Sequence, residues 1–173
     1  PALTDYIFMV QGTGIMHITG PAVIKAVTGE EVTSEQIGGS MANNSKSGNA
    51  HFSAKSEDEC IAQVRKLLSY LPQNNLEEAP EKETGDDPLR EDAELRNIVP
   101  VNPNKGYDVR EVIRRVVDES DFFEVQPLWA KNILTGYARL GGKVIGIIAN
   151  QANHLAGCLD IDASDKASRF IRH

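Results

Sequence analysis

The run that most restricts what this chain can fold into is residues 144–149, VIGIIA, apolar throughout, mostly β-branched, with one glycine. Such a run suits a strand buried on both faces of a sheet. At its end stand Asn150, Gln151 and Asn153. Polar side chains at the C-terminal end of a buried strand are where open α/β sheets place their ligands. The surrounding residues 137–172 read as strand, glycine turn, strand, polar loop, glycine and helix, with Arg139, Lys143, Lys166, Arg169 and Arg172 at intervals. Those cations suit phosphate groups through charge-assisted hydrogen bonds; spacing alone leaves solvated surface charge equally open.

A composition break divides what precedes this stretch. Residues 73–104 hold four prolines, Pro80, Pro88, Pro100 and Pro103, and few large apolar side chains. Within them, residues 76–96 carry nine acids against three bases, a local charge of −6 out of the chain's −7. This reads as a solvated interdomain connection with a short helical turn near residues 91–96. A chain of 173 residues, 40% hydrophobic and 25% charged, can bury a core as one domain or two small ones. No apolar run reaches the roughly 20 residues that cross a bilayer. No basic face with interleaved aromatics points to nucleic acid. Cys60 and Cys158 lie far apart, near no cluster of histidines or acids, and read as buried reduced thiols in an intracellular protein.

The remaining elements follow from periodicity and caps. Residues 6–10 are a strand candidate, residues 11–14 a turn, and residues 15–19 a returning strand. A dinucleotide loop at Gly12-Thr13-Gly14 would need a third glycine where His17 stands, so a hairpin is the better account. Pro21 suits the first turn of a short helix with Val23, Ile24 and Val27 as its apolar stripe. Thr33 and Gln36 have capping-box spacing, Gly38-Gly39 stops that turn, and residues 40–49 read as a polar loop. Residues 56–71 and 108–118 are two packing helices opened by Ser56 with Glu59 and by Asp108 with Glu111. Two strands, residues 132–139 and 143–149, meet around Gly141-Gly142. Asp162 or Ser164 is placed to cap a last helix, and both ends of the chain read as cut.

Familiar catalytic constellations are missing. His17, His51, His154 and His173 are scattered, with no helical zinc pair, and no G-x-S-x-G elbow occurs. Ser47 and His51 are near in sequence, but a loop hydroxyl and a partly buried imidazole account for them better than a catalytic pair. Composition and spacing therefore reach a two-part α/β chain with an anionic-ligand edge and no reaction.

Three stretches together carry more. PALTDYIFMV through ITGPAVIKAVTGEEVTSEQIGG and SGNAH, then DVREVIRRVVDESDFFEVQPLWAKNILTGYARLGG, then VIGIIANQ with AGCLDIDASDKASRFIR, closely resemble the β (carboxyltransferase) subunit of biotin-dependent acyl-CoA carboxylases, above all the propionyl-CoA carboxylase type. The resemblance spans nearly all of the chain outside the acidic segment. Relatives include the carboxyltransferase subunits of sodium-pumping methylmalonyl-CoA and glutaconyl-CoA decarboxylases.

The resemblance implies an α/β, crotonase-like (ClpP/crotonase) fold and parts of two domains. Residues 1–75 would end the first, 76–105 would be the acidic linker, and 106–173 would begin the second. It implies transfer of CO2 from carboxybiotin, borne by a partner carrier protein, to the α-carbon of propionyl-CoA, giving methylmalonyl-CoA. The biotin anion takes the α-proton and the enolate captures CO2. Backbone N–H pairs at glycine turns stabilise both oxyanions, so no side-chain triad is needed. Those turns fall outside this chain, so no catalytic residue and no metal ligand is expected in it, and the piece alone is expected to be inactive.

What carries over is the acyl-CoA-binding region, matching Tyr137, Arg139, Asn150, Gln151, Gly157, Asp160, Lys166 and Arg169, with Gly157 allowing close approach. Implied partners are biotin carboxylase and biotin carrier subunits, with the full subunit in a homohexamer and no direct membrane insertion. The implied setting is cytoplasmic, or the mitochondrial matrix in a eukaryote. Two departures bear on the substrate: Ala152 stands where relatives have proline, and Asn43 where they have histidine. A decarboxylase direction and a purely oligomer-packing role stay open beside the carboxylase.

Overall fold

The computed structural model describes residues 3–102 and 104–173. Pro1 and Ala2 of the opening motif, and Pro103 of the proline-rich segment, lie outside the described residues. Two compact units result: unit 1, residues 1–65 with Gln126–Trp129, and unit 2, Lys66–Val125 with Ala130–His173.

In unit 1, β1 (Phe8–Val10) pairs in parallel with β2 (Phe52–Ala54), placing Phe8 opposite Phe52 with their rings stacked 4.4 Å apart. The expected hairpin with residues 15–19 does not form. The Gln11 N–H goes to Ala54 O at 2.8 Å, continuing the parallel ladder, and a tight turn (Gly14 N–H to Val10 O, 2.8 Å) sends the chain away. Ile15 keeps only a single bridge, to Gly39.

Helix α1 (Pro21–Thr28) starts on Pro21 as expected, but none of its residues is fully buried; Val23 and Val27 of its stripe are exposed and Ile24 is half-buried. In α2 (Ser34–Gly38) the Thr33–Gln36 capping box closes from both sides. The polar run 40–49 is no loop. Ala42–Lys46 form a π-helical turn that buries Asn43 and Asn44. The Asn43 amide donates to the carbonyls of Met16 and Gly38, at 3.0 and 2.9 Å, which a polar side chain needs once out of water. Ser47 Oγ meets Asn43 O at 3.5 Å and His51 Nδ1 accepts the Ile7 N–H at 3.1 Å, so backbone engages both.

Helix α3 (Glu57–Leu68) is opened by Ser56, whose hydroxyl accepts the Glu59 N–H at 3.2 Å; the Glu59 carboxylate reaches back one residue further, to Lys55 N. The helical turn in the acidic segment is α4 (Leu95–Ile98), slightly later than expected.

Unit 2 centres on an antiparallel sheet in the order β3 (Phe123–Val125), β4 (Ile133–Leu140), β5 (Lys143–Asn150). Here the strand expected to be buried on both faces is an edge. β5 alternates between half-buried and exposed, while β4, paired on both sides, is buried along most of its length. An apolar run marks contact with a core but not place in the sheet. Helix α5 (Val109–Val116) covers one face, with Ile113 and Val117 packed on Leu134 and Ala138 and flanked by Ile145, Ile147 and Ala149. Helix α6 (Ile161–Arg172) covers the other, with Phe170 tilted 5.1 Å from Tyr137. Gly141 and Gly142 turn the β4–β5 hairpin with φ of 57° and 81°, a backbone that suits glycine.

Candidate functional site

All eight residues assigned by resemblance lie in unit 2, seven on or beside the α6 face of the sheet and Gln151 toward α5. Alternation along β4 sends Leu134 and Ala138 to α5 and leaves Ile133, Thr135, Tyr137 and Arg139 on the opposite side. Tyr137 is buried there, stacked 5.8 Å from Tyr70, and its hydroxyl lies 3.2 Å from His173 Nδ1. The Arg139 guanidinium sits 4.4 Å over the Tyr70 ring and reaches the Ser69 carbonyl. The Tyr70 hydroxyl donates to Asp121 at 3.0 Å, and Asp121 also takes the Lys66 ammonium. Burial, then the Asp121 charge, pushes the Tyr70 hydroxyl well above its usual range. Burial would raise Asp121, but hydrogen bonds from Lys66 and Tyr70 outweigh it and hold the carboxyl below the usual value. A cleft of about 580 Å³ opens beside this cluster, lined in part by Lys66, Ser69, Pro72, Lys82, Asp121 and Arg139.

A second group sits at the far end of the hairpin. Asn150 Nδ2 donates to Gly157 O at 2.6 Å, closing the loop between β5 and α6. Gly157 holds φ 74°, and Leu155 and Ala156 before it are also left-handed. Gln151 is fully buried; its side chain donates to Asp108 Oδ1 (2.7 Å) and accepts the Val109 N–H (3.3 Å), securing the start of α5. Burial would raise Asp108, but the Arg110 N–H and then Gln151 outweigh it and keep the carboxyl low.

Asp160, not Asp162 or Ser164, caps α6, accepting the Ala163 N–H at 2.9 Å and the Asn132 amide at 3.1 Å. Those two bonds, in that order, hold its carboxyl below the usual range. Lys166 is 1% exposed, its ammonium on the Ile133 carbonyl at 2.9 Å. Burial lowers it to about 8. Arg169 is half-buried on the same helix.

The eight residues do not converge on one point. Arg139 pairs with Val144 and Ile133 with Asn150, so the two groups are six residues apart along β4, about 20 Å at the usual strand rise. They are spread along β4, the end of β5, the loop after it and α6, with Gln151 turned toward the start of α5. Sequence reasoning missed Tyr70, Asp121, Asp108 as a partner of Gln151, and Asn132. A large aromatic just before Pro72, in a chain only 6% aromatic, was the available signal for Tyr70. The free cysteines also differ from expectation, Cys158 being exposed and Cys60 half-buried. No cluster of potential metal ligands occurs among the described residues, and no helix among them is long and apolar enough to cross a membrane.

Residues 1–173 match the carboxyl transferase domain family. The chain is 60% identical to the methylmalonyl-CoA decarboxylase subunit alpha of Veillonella parvula over 99% of its own length and 34% of that protein. It is 57% identical to a putative propionyl-CoA carboxylase beta chain of Bacillus subtilis, covering 99% of this chain and 33% of that protein. Among solved structures, the hexameric transcarboxylase 12S core with methylmalonyl-coenzyme A and methylmalonic acid bound superimposes with a TM-score of 0.95 at 50% identity, over 99% of this chain and 33% of that one. The chain thus spans about a third of the length of the curated relatives it matches.

Proposed function

We propose that this chain, which belongs to the carboxyl transferase domain family and has its crotonase-like α/β fold, is the part of a biotin-dependent carboxyltransferase subunit that helps hold the acyl-CoA. The observation that carries the reading is the 0.95 superposition, at 50% identity, on a core solved with methylmalonyl-coenzyme A bound. The full subunit then moves CO2 from carboxybiotin to the α-carbon of propionyl-CoA, giving methylmalonyl-CoA. It works as a homohexamer with biotin carboxylase and biotin carrier partners.

In this reading Arg139, Asn150 and Arg169 meet the ligand. Tyr137, Gln151, Asp160 and Lys166 fix the strand, loop and helix that carry them, and Gly157 lets the ligand approach the backbone. Residues 1–75 and 106–173 belong to successive crotonase-like domains.

The test is transfer of labelled CO2 from carboxybiotin to propionyl-CoA by the full-length subunit. Arg139→Ala should raise KM for the acyl-CoA about tenfold, the loss of roughly 1.4 kcal/mol of binding, with a smaller change in kcat. No transfer to any short acyl-CoA would overturn the assignment. The 60% identity to a decarboxylase subunit favours a second reading, in which the same site runs from methylmalonyl-CoA to propionyl-CoA beside a membrane partner. Sodium-dependent decarboxylation by the assembled complex separates the two.

A further inference from the structure

An acidic, proline-bearing run normally stays a solvated tether. In unit 2 part of it is bonded along its length instead. The Lys82 N–H donates to Gly142 O at 3.1 Å, and its ammonium pairs with Glu119 at 2.6 Å. Asp86 accepts the Glu119 N–H at 2.6 Å, and Asp92 pairs with Arg115 at 2.8 Å.

Arg90 is the centre of these contacts. Its guanidinium donates to the carbonyls of Arg115 at 2.7 Å and Val117 at 2.9 Å, with Val116 at 3.4 Å. These carbonyls end α5, where a helix leaves acceptors unpaired and where its dipole favours a cation. The planar fork of an arginine fits several carbonyls at once, and a lysine does not.

One residue beyond Val117, the Asp118 carboxylate accepts the N–H groups of Gly141 and Gly142 at 3.1 and 2.7 Å. Arg139 stands two residues before that turn. A Cβ on Gly142 would overlap the Lys82 carbonyl, so turn and acidic run fit closely.

We propose that residues 82–92 form a strap latched by Arg90 onto the end of α5, and that this latch sets the β4–β5 turn and, through it, the placement of Arg139. The link to affinity rests on the acyl-CoA role proposed above for Arg139; the strap itself does not.

Hydrogen exchange in the full-length subunit, without ligand, tests the strap. Residues 82–92 and 117–121 should exchange at least tenfold slower than an unstructured chain. Arg90→Ala should raise both rates at least tenfold and leave residues 133–137 of β4 unchanged, while Arg96→Ala, at an exposed cation of the same segment, should alter neither. Arg90→Lys should behave like Arg90→Ala and guards against a general folding defect. Random-coil exchange of the strap in the unmodified protein, or full protection in both Arg90 variants, overturns the proposal. Titration with CoA is the second arm, and Arg90→Ala should weaken binding several-fold. If Arg139→Ala leaves CoA binding unchanged, the acyl-CoA reading fails while the exchange result stands separately.

Discussion

Lys166 has been taken out of water by its helix, and its ammonium is held by backbone oxygen. Unfolded, the amine titrates near 10.5; folded, burial brings it to about 8. Below pH 8 both states carry the proton. Between these values the unfolded chain binds a proton that the folded one has lost, so stability rises with pH through that window, by about 3 kcal/mol if the whole shift is realised. Thermal unfolding between pH 7 and 10 should show the rise, and Lys166→Met should abolish it. A variant with the same pH profile as the parent would refute the assignment. Tyr70 offers a second residue-scale test. Tyr70→Phe keeps the stack and loses the bond to Asp121, costing about 1 kcal/mol because Asp121 is partly solvated, whereas Tyr70→Ala should cost roughly 3–5 kcal/mol. Denaturant midpoints of the two variants measure the difference. Neither residue's situation was legible in sequence. Lys166 looked like a phosphate ligand because a lysine at helical spacing carries no mark of burial, and Tyr70 was marked only as a scarce aromatic just before Pro72, with its partner Asp121 some fifty residues away.

Elements were more legible than their partners. The capping box at Thr33, the Pro21 start and the Gly141-Gly142 turn are local chemistry, and each forms as the residues dictate. Strand pairing is not local. β1 found β2 across more than forty residues rather than its neighbour, and the most apolar run became an edge. The cap of α6 was misplaced by two residues because Asp160, Asp162 and Ser164 all have capping side chains, and only Asp160 also meets Asn132. Asp160→Ala should therefore destabilise the unit, and Asp160→Asn should do so by less. Equal losses in the two variants, read from urea unfolding, would remove the cap from the account.

At the scale of the whole molecule, the family was readable because three separated stretches carried it. The site was readable only as a region. The residues assigned by resemblance are spread over about 20 Å along β4 instead of meeting at one point. The expected outcome is that residues 1–173 alone move no labelled CO2 to propionyl-CoA under conditions where the full-length subunit does. Transfer by the isolated piece would require a catalytic group that the reading has placed outside it.

Unit 1 contains Gln126, whose N–H bonds to His51 O at 3.2 Å and whose side chain bonds to Gly48 O at 2.7 Å. When Arg65 leaves the ribosome, that unit therefore still lacks one of its pieces. Some sixty more residues must emerge, which at bacterial-to-eukaryotic elongation rates takes roughly 3–12 s. During that interval the Gly48 and His51 carbonyls wait for donors encoded far downstream, and a nascent chain stalled before residue 126 presents its chaperones with an unfinished first unit.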